Sequence, residues 1–254
     1  MEIAAVLPME VPRAPQIAGL THRGLVRVDN QDAFFADPAG RFAIVADGMG
    51  GHDGGATASR LACEAASELL AAEHNRTAPE RALRAAFEAA FEAINTEALL
   101  RPELANMGTT LVCAALDEVG ELTIAHLGDS RMYRLRQGEL RCLTEDHNVL
   151  AELIRAGVLS DDRLEDNRRL SHLLTRAISP GATDRPDIFR TLARPGDRYL
   201  LCSDGLHGVV PYKTINTLLN ADERDDEICR TLVEAALDLG APDNITVVLM
   251  SFDP

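Results

Sequence analysis

The chain has 254 residues, 46% of them hydrophobic, with 40 acids against 25 bases and a formal net charge of -15. That apolar content supports one large domain or two small ones, and the acidic balance argues against a nucleic-acid or membrane surface as partner. Five scattered cysteines (Cys63, Cys113, Cys142, Cys202 and Cys229), with no CxxC pair, argue against a disulfide framework or a zinc site and read as small buried apolar residues of a reducing compartment.

Residues 1–15 lack a basic n-region followed by an apolar core, and Pro8, Pro12 and Pro15 interrupt any helix there. A short flexible leader is therefore expected ahead of a single domain over 16–254. No apolar run approaches the roughly 20 residues of a membrane span, so the expected location is the cytoplasm. Ile17 to Thr21 suits a first strand, followed by the polar stretch Arg27-Val28-Asp29-Asn30-Gln31-Asp32. The turn signal Asp37-Pro38-Ala39-Gly40 predicts a hairpin over 33–47. Its second strand, Phe42 to Ala46, is apolar enough to be covered on both faces and ends in Asp47-Gly48-Met49-Gly50-Gly51-His52. Glycines there let the backbone turn tightly and approach a ligand closely.

The period then changes. Leu61, Ala65, Leu69 and Ala72 recur as one face of a helix from Ala56 to about His74. Thr77-Ala78-Pro79-Glu80 has capping-box spacing with proline in the first turn, and Leu83, Phe87, Ala90, Phe91, Ile94 and Ala98 form a second stripe, predicting an antiparallel helix pair. Strands are expected from Gly108 to Ala115, over 121–127, from Met132 to Leu135 and from Leu140 to Leu143, a run of antiparallel hairpins without βα alternation. Asp146 to Val158 predicts a helix. The charge-dense stretch from Ser160 to Leu170 reads either as a solvated surface loop or as part of a mobile flap, around 148–171, beside the site. Strands at 189–192 and 199–203, helices at 212–220 and 225–239, and a last strand at 245–252 complete the chain. No repeat of 20 to 50 residues is present.

Asp47, Asp129, Asp204 and Asp243 each stand at the end or start of an apolar strand. One Asp-Gly after a strand is an ordinary turn. Four such acids suggest convergence at one edge of a packed layer, where clustered carboxylates repel unless protons or cations neutralise them. Oxygen-only ligands favour Mg²⁺ or Mn²⁺ over zinc.

Six short motifs follow in order: Arg27-xxx-Gln31-Asp32, Asp47-Gly48-Met49-Gly50-Gly51-His52, Gly108-Thr109-Thr110, Gly128-Asp129-Ser130-Arg131, Ser203-Asp204-Gly205-Leu206 and Asp243-Asn244-Ile245-Thr246. Over residues 17–252 the chain thereby resembles the metal-dependent protein phosphatases of type 2C in their compact bacterial form. The resemblance implies an α+β fold, a four-layer αββα sandwich of two antiparallel sheets flanked by helix pairs. It implies hydrolysis of phosphoserine and phosphothreonine proteins by a water bridging two Mn²⁺ or Mg²⁺ ions, in opposition to a bacterial serine/threonine kinase. By motif position, Asp47 would bridge both ions, the Gly48 carbonyl would bind one, and Asp204 and Asp243 the other. Asp32 would hold metal-bound water, and Asp129 would serve a weaker third ion.

Arg27 is the natural phosphate clamp, because its planar fork binds two oxygens at once. His52 reads either as general acid to the leaving oxygen or as a solvent-facing residue at the start of the next helix. The chain departs from the family's usual pattern at Gln31, at His207-Gly208 and at Ser179, none of them an implied metal ligand. Three competing readings were weighed: a pseudophosphatase scaffold, an aspartyl-nucleophile phosphohydrolase, and nucleotide binding through Gly48 to Gly55. The second lacks its Asp-x-Asp-Gly pattern on a parallel scaffold, and the third lacks a Gly-Lys-Ser/Thr.

Overall fold

The computed structural model describes residues 14–51, 53–73, 76–159 and 165–253. Most of the expected leader, His52 and the first part of the charged stretch, 160–164, lie outside these residues. Two antiparallel sheets carry the fold. One runs β1 (Gln16–His22), β11 (Ile245–Ser251), β10 (Arg198–Cys202), β7 (Arg131–Arg136), β8 (Glu139–Cys142). The other runs β2 (Asp32–Ala36), β3 (Phe42–Met49), β5 (Leu111–Leu116), β6 (Glu121–Leu127), β9 (Asp187–Leu192), with the short β4 (Gly108–Thr109) added to the end of β3.

Strand alternation divides the apolar side chains among three layers. Ala43 and Val45 of β3 point between the sheets and meet Tyr199 and Leu201 of β10 and Val248 and Met250 of β11. Phe42, Ile44 and Ala46 point the other way, under helices α1 (Asp53–Glu73) and α2 (Pro79–Leu100). On the far side, Leu200, Cys202, Val247 and Leu249 lie under α6 (Asp225–Asp238) and α5 (Tyr212–Leu219). The result is the expected four-layer αββα sandwich, each central strand buried on both faces.

Four local expectations need correction. β3 does not stop at Asp47: Gly48 and Met49 remain in the strand, paired with Thr109 and Gly108 of β4. The capping box at α2 is not made, for Thr77 Oγ1 donates to Glu73 Oε2 at 2.5 Å and the helix begins at Pro79 without a side-chain cap. The helix predicted from Asp146 is only α3 (Val149–Arg155), because Asn148 caps it by accepting from the Ala151 N–H at 2.9 Å. Cys142 is exposed, whereas Cys63, Cys113, Cys202 and Cys229 are buried free thiols.

The segment after α3 returns as a 3-10 stretch (Glu165–His172), and its base is closed by a bridge between Asn148 and Leu174 and by the Val149 N–H donating to Leu173 O at 2.9 Å. One further helix, α4 (Asp204–His207), follows β10 directly.

Candidate metal centre

β2 and β3 pair in a register that sets Asp32 directly opposite Asp47. Like charges in that relation destabilise a strand pair, so the arrangement needs compensation from elsewhere. Both residues are fixed by hydroxyls. The Asp47 N–H donates to Thr110 Oγ1 at 3.0 Å, while the Thr109 hydroxyl and the Thr110 N–H both donate to Asp47 O at 2.9 Å. Asp32 Oδ2 accepts from the Ser203 and Thr246 hydroxyls, each at 2.7 Å.

Glycines bring these segments together. A Cβ at Gly48 would lie 2.1 Å from Gly55 O and 2.4 Å from Gln31 O, and one at Gly205 would lie 1.8 Å from Asn244 O. No side chain fits at either position, and the close approach sets Asp204 at the start of α4 beside Asp243 before β11. Asn244 organises the loop that carries Arg27: its Oδ1 accepts from the Gln31 N–H at 2.8 Å, and its Nδ2 donates to Arg23 O at 2.8 Å and Asp29 O at 2.9 Å. Arg27 Nη2 then donates to Asp243 Oδ2 at 2.7 Å.

Asp129, buried just past β6, sits in a turn whose backbone two histidines hold, one at Gly128 and one at Asp129 itself. His147 accepts the Gly128 N–H on Nδ1 and donates its own N–H to Gly128 O, both at 3.0 Å. His207 Nε2 lies 3.1 Å from Asp129 O, to which it donates. Asp47, Gly48, Thr110, Asp129, Asp204, Asp243, Arg27 and His172 line one cleft of about 1200 Å³, with Asp32 buried behind it.

The acids feel one another. Burial, and then the charges of Asp32, Asp204, Asp129 and Asp243, push Asp47 well above the usual carboxylate value. Burial and then Asp204 do the same to Asp129. Asp32 is pushed up to about 7 by burial, against the pull of its two hydroxyl partners. Burial works on Asp204 too, but the nearby imidazoles of His172, 3.8 Å away, and His207 hold it below the ordinary value.

Buried carboxylates without sufficient countercharge are what a divalent cation relieves. Asp32 Oδ1 is buried with no hydrogen-bond partner among the described residues. The donor set is entirely oxygen, so the residues present fit Mg²⁺ or Mn²⁺.

Every described residue of the sequence-based site, namely Arg27, Asp32, Asp47, Gly48, Asp129, Asp204 and Asp243, therefore belongs to this one constellation; His52 lies outside the described residues. The reading missed Thr110, Ser203, Thr246, Asn244 and His207, although each sits in or beside a quoted motif. It also missed His172, whose Nδ1 lies 3.8 Å from Asp204 Oδ2 and which carried no motif signal.

A second cluster, His126, His147 and Asp187, brings three ligand atoms within 4.8 Å of one another. The imidazoles stack at 4.6 Å with an 11° interplanar angle, so their in-plane lone pairs do not aim at one point. Arg176 lies 2.7 Å from His147 Nε2 and pairs with Asp187 at 2.9 Å, placing a cation there already.

The chain is similar to known proteins in sequence and fold. The family model described as protein phosphatase 2C matches residues 21–240. The serine/threonine protein phosphatase PstP of Mycobacterium tuberculosis is 39% identical over 232 residues, covering 91% of this chain but 44% of that protein, so the chain spans less than half of that relative. The serine/threonine phosphatase stp of Listeria monocytogenes is 34% identical over 247 residues, covering 92% of this chain and 94% of stp. A crystal structure of M. tuberculosis PstP superposes with a TM-score of 0.88 at 36% identity, covering 94% of this chain and 99% of that one. The catalytic domain of PstP in complex with two manganese ions gives 0.83 at 36% identity, with coverage of 94% and 99%. On the match over residues 21–240 and these identities, the chain belongs to the protein phosphatase 2C family.

Proposed function

We propose that this chain is a metal-dependent phosphatase of phosphoserine and phosphothreonine proteins, acting against the products of a serine/threonine kinase in the cytoplasm. The observation that carries the reading is the convergence of Asp47, Asp204 and Asp243 beside Arg27 on one cleft of a phosphatase 2C chain. In this reading Asp47, the Gly48 carbonyl, Asp204 and Asp243 hold two Mn²⁺ or Mg²⁺ ions and Asp129 a weaker third. Such ions, when bound, acidify water and offset the negative charge of the phosphoryl group.

The protein's own groups supply the rest. Arg27 is half-exposed, and its fork, which now donates from Nη2 to Asp243, would take two phosphoryl oxygens by giving up that contact. Asp32 has one oxygen committed to Ser203 and Thr246, which leaves Oδ1 to accept a hydrogen bond from water and orient it. His52 is the proposed donor to the leaving serine or threonine oxygen. The catalytic domain runs over residues 16–254, with the segment around 148–171 proposed as its flap. Among the described residues no helix is long and apolar enough to cross a membrane.

The test is hydrolysis of p-nitrophenyl phosphate and a phosphothreonine peptide with Mn²⁺, with EDTA, and with Asp204→Asn. Turnover that Mn²⁺ restores after EDTA, and that the variant lacks, is expected. Folded, metal-replete native protein that hydrolyses neither compound would favour the pseudophosphatase instead.

A further inference from the structure

The loop between β1 and β2 presents two branched side chains to the cleft on either side of the phosphate clamp. Val26 is 68% exposed and Val28 80%, and both line the cleft with Arg27. Leu173, 53% exposed, lines it from the returning end of the flap. Single exposed aliphatics are ordinary on any surface. These three instead line one cavity from two separate segments, with Arg27 between the two valines.

The loop is braced rather than loose. Asn244 Nδ2 donates to Arg23 O and Asp29 O, and Arg23 Nη1 donates to Val28 O at 3.0 Å. The valines are therefore offered on a fixed backbone, which lowers the ordering cost of docking a chain against them.

Charge points the same way. Among the described residues lining the cleft the bases are Arg27, Arg176 and His172, and each already faces a carboxylate: Asp243 at 2.7 Å, Asp187 at 2.9 Å and Asp204 at 3.8 Å. Asp29 and Asp184 add negative charge to the lining, on a chain of net charge -15. With Asp47, Asp129, Asp204 and Asp243 given to the metal ions, the acids left in the lining are Asp29 and Asp184, so an acidic neighbour of the phosphoresidue meets like charge from these two, whereas an aliphatic neighbour meets Val26, Val28 or Leu173.

We propose that this cleft selects phosphothreonine or phosphoserine sites whose immediate neighbours are aliphatic, and rejects sites with acidic neighbours. The proposal rests on the phosphatase reading above and names its substrate class. It is tested by kcat/KM of the Mn²⁺-loaded native protein on otherwise identical phosphothreonine peptides flanked on both sides by Val and Leu or by Glu. The aliphatic peptide is expected to be favoured about tenfold or more, the scale on which apolar pockets discriminate. The double variant Val26→Ser/Val28→Ser, and separately Leu173→Ser, should cut that ratio several-fold while leaving p-nitrophenyl phosphate hydrolysis unchanged, which also certifies their folding. Equal rates on the two peptides, or a ratio untouched by both variants, would overturn the proposal while normal aryl phosphate hydrolysis left the phosphatase reading standing. Native protein inert toward aryl phosphate and peptides alike would remove that reading and this proposal together.

Discussion

His207 stands where the family more often has a bulky residue, and in this chain its ring holds the main chain of Asp129 rather than reaching the cleft. If Asp129 holds the weakest ion, losing that bond should be felt in metal binding before folding. His207→Leu is expected to weaken the weakest Mn²⁺ association about tenfold, the usual scale for supporting groups around a metal, with the tighter sites unchanged in a calorimetric titration. His207→Gln, whose amide nitrogen approximates Nε2, should recover part of the loss. An isotherm unaltered by the leucine would rule the bond out as a support. His52 is separable by leaving group: p-nitrophenolate departs without a proton, whereas a serine or threonine alkoxide does not. His52→Gln should therefore lower kcat on a phosphothreonine peptide by about 10²-fold or more and leave p-nitrophenyl phosphate nearly unchanged. Equal losses on both substrates would contradict the acid role.

Between α1 and α2 the elements hold by packing, not by capping. The Thr77 hydroxyl bonds Glu73 on the preceding helix instead of the N-terminal amides of α2. Thr77→Ala is accordingly expected to cost less than about 1 kcal/mol in urea unfolding, below the usual loss of a working cap. Phe87, 1% exposed in the cluster with Leu83 and Ile44, is different. Phe87→Ala should cost about 3–5 kcal/mol. If the two variants proved equally stable, the helix pair would not be held as described. The same helix pair covers the face of β3 opposite Val45, so its loss also exposes the strand that carries Asp47.

Across the whole molecule, the stacked His126 and His147 tie β6 to the segment that leads into α3. Burial lowers the His126 pKa from 6.5 to about 4, followed by the influence of His147. The folded ring is thus neutral where the unfolded chain is already protonated. Stability from this residue is fully present above about pH 6.5 and is lost as pH falls through the window down to about 4, at about 1.4 kcal/mol per pH unit. Thermal unfolding of native protein and His126→Phe, both with EDTA, should show the gap between their Tm values changing in that direction between pH 7 and pH 4.5. A gap independent of pH would mean that His126 titrates normally in the folded state.

The acids were legible in the sequence because each follows or precedes an apolar strand and is marked by an adjacent glycine or a fixed neighbour, as at Asp47-Gly48 and Asp204-Gly205. The strand alternation that sends Phe42, Ile44 and Ala46 one way and Ala43 and Val45 the other was equally readable, since period two follows from the backbone alone. Which hydroxyls satisfy which carboxylate was not. Thr246 reaches Asp32 across 214 residues, and no local rule couples them. His172 arrives from the end of the 3-10 stretch and His207 turns onto Asp129 O only because β10 and β6 have been brought to one edge. Local pattern determined the acids at the strand ends and the layers; tertiary packing decided the hydroxyls that meet them and the bracing of the Arg27 loop, because each depends on contacts between segments distant in the chain.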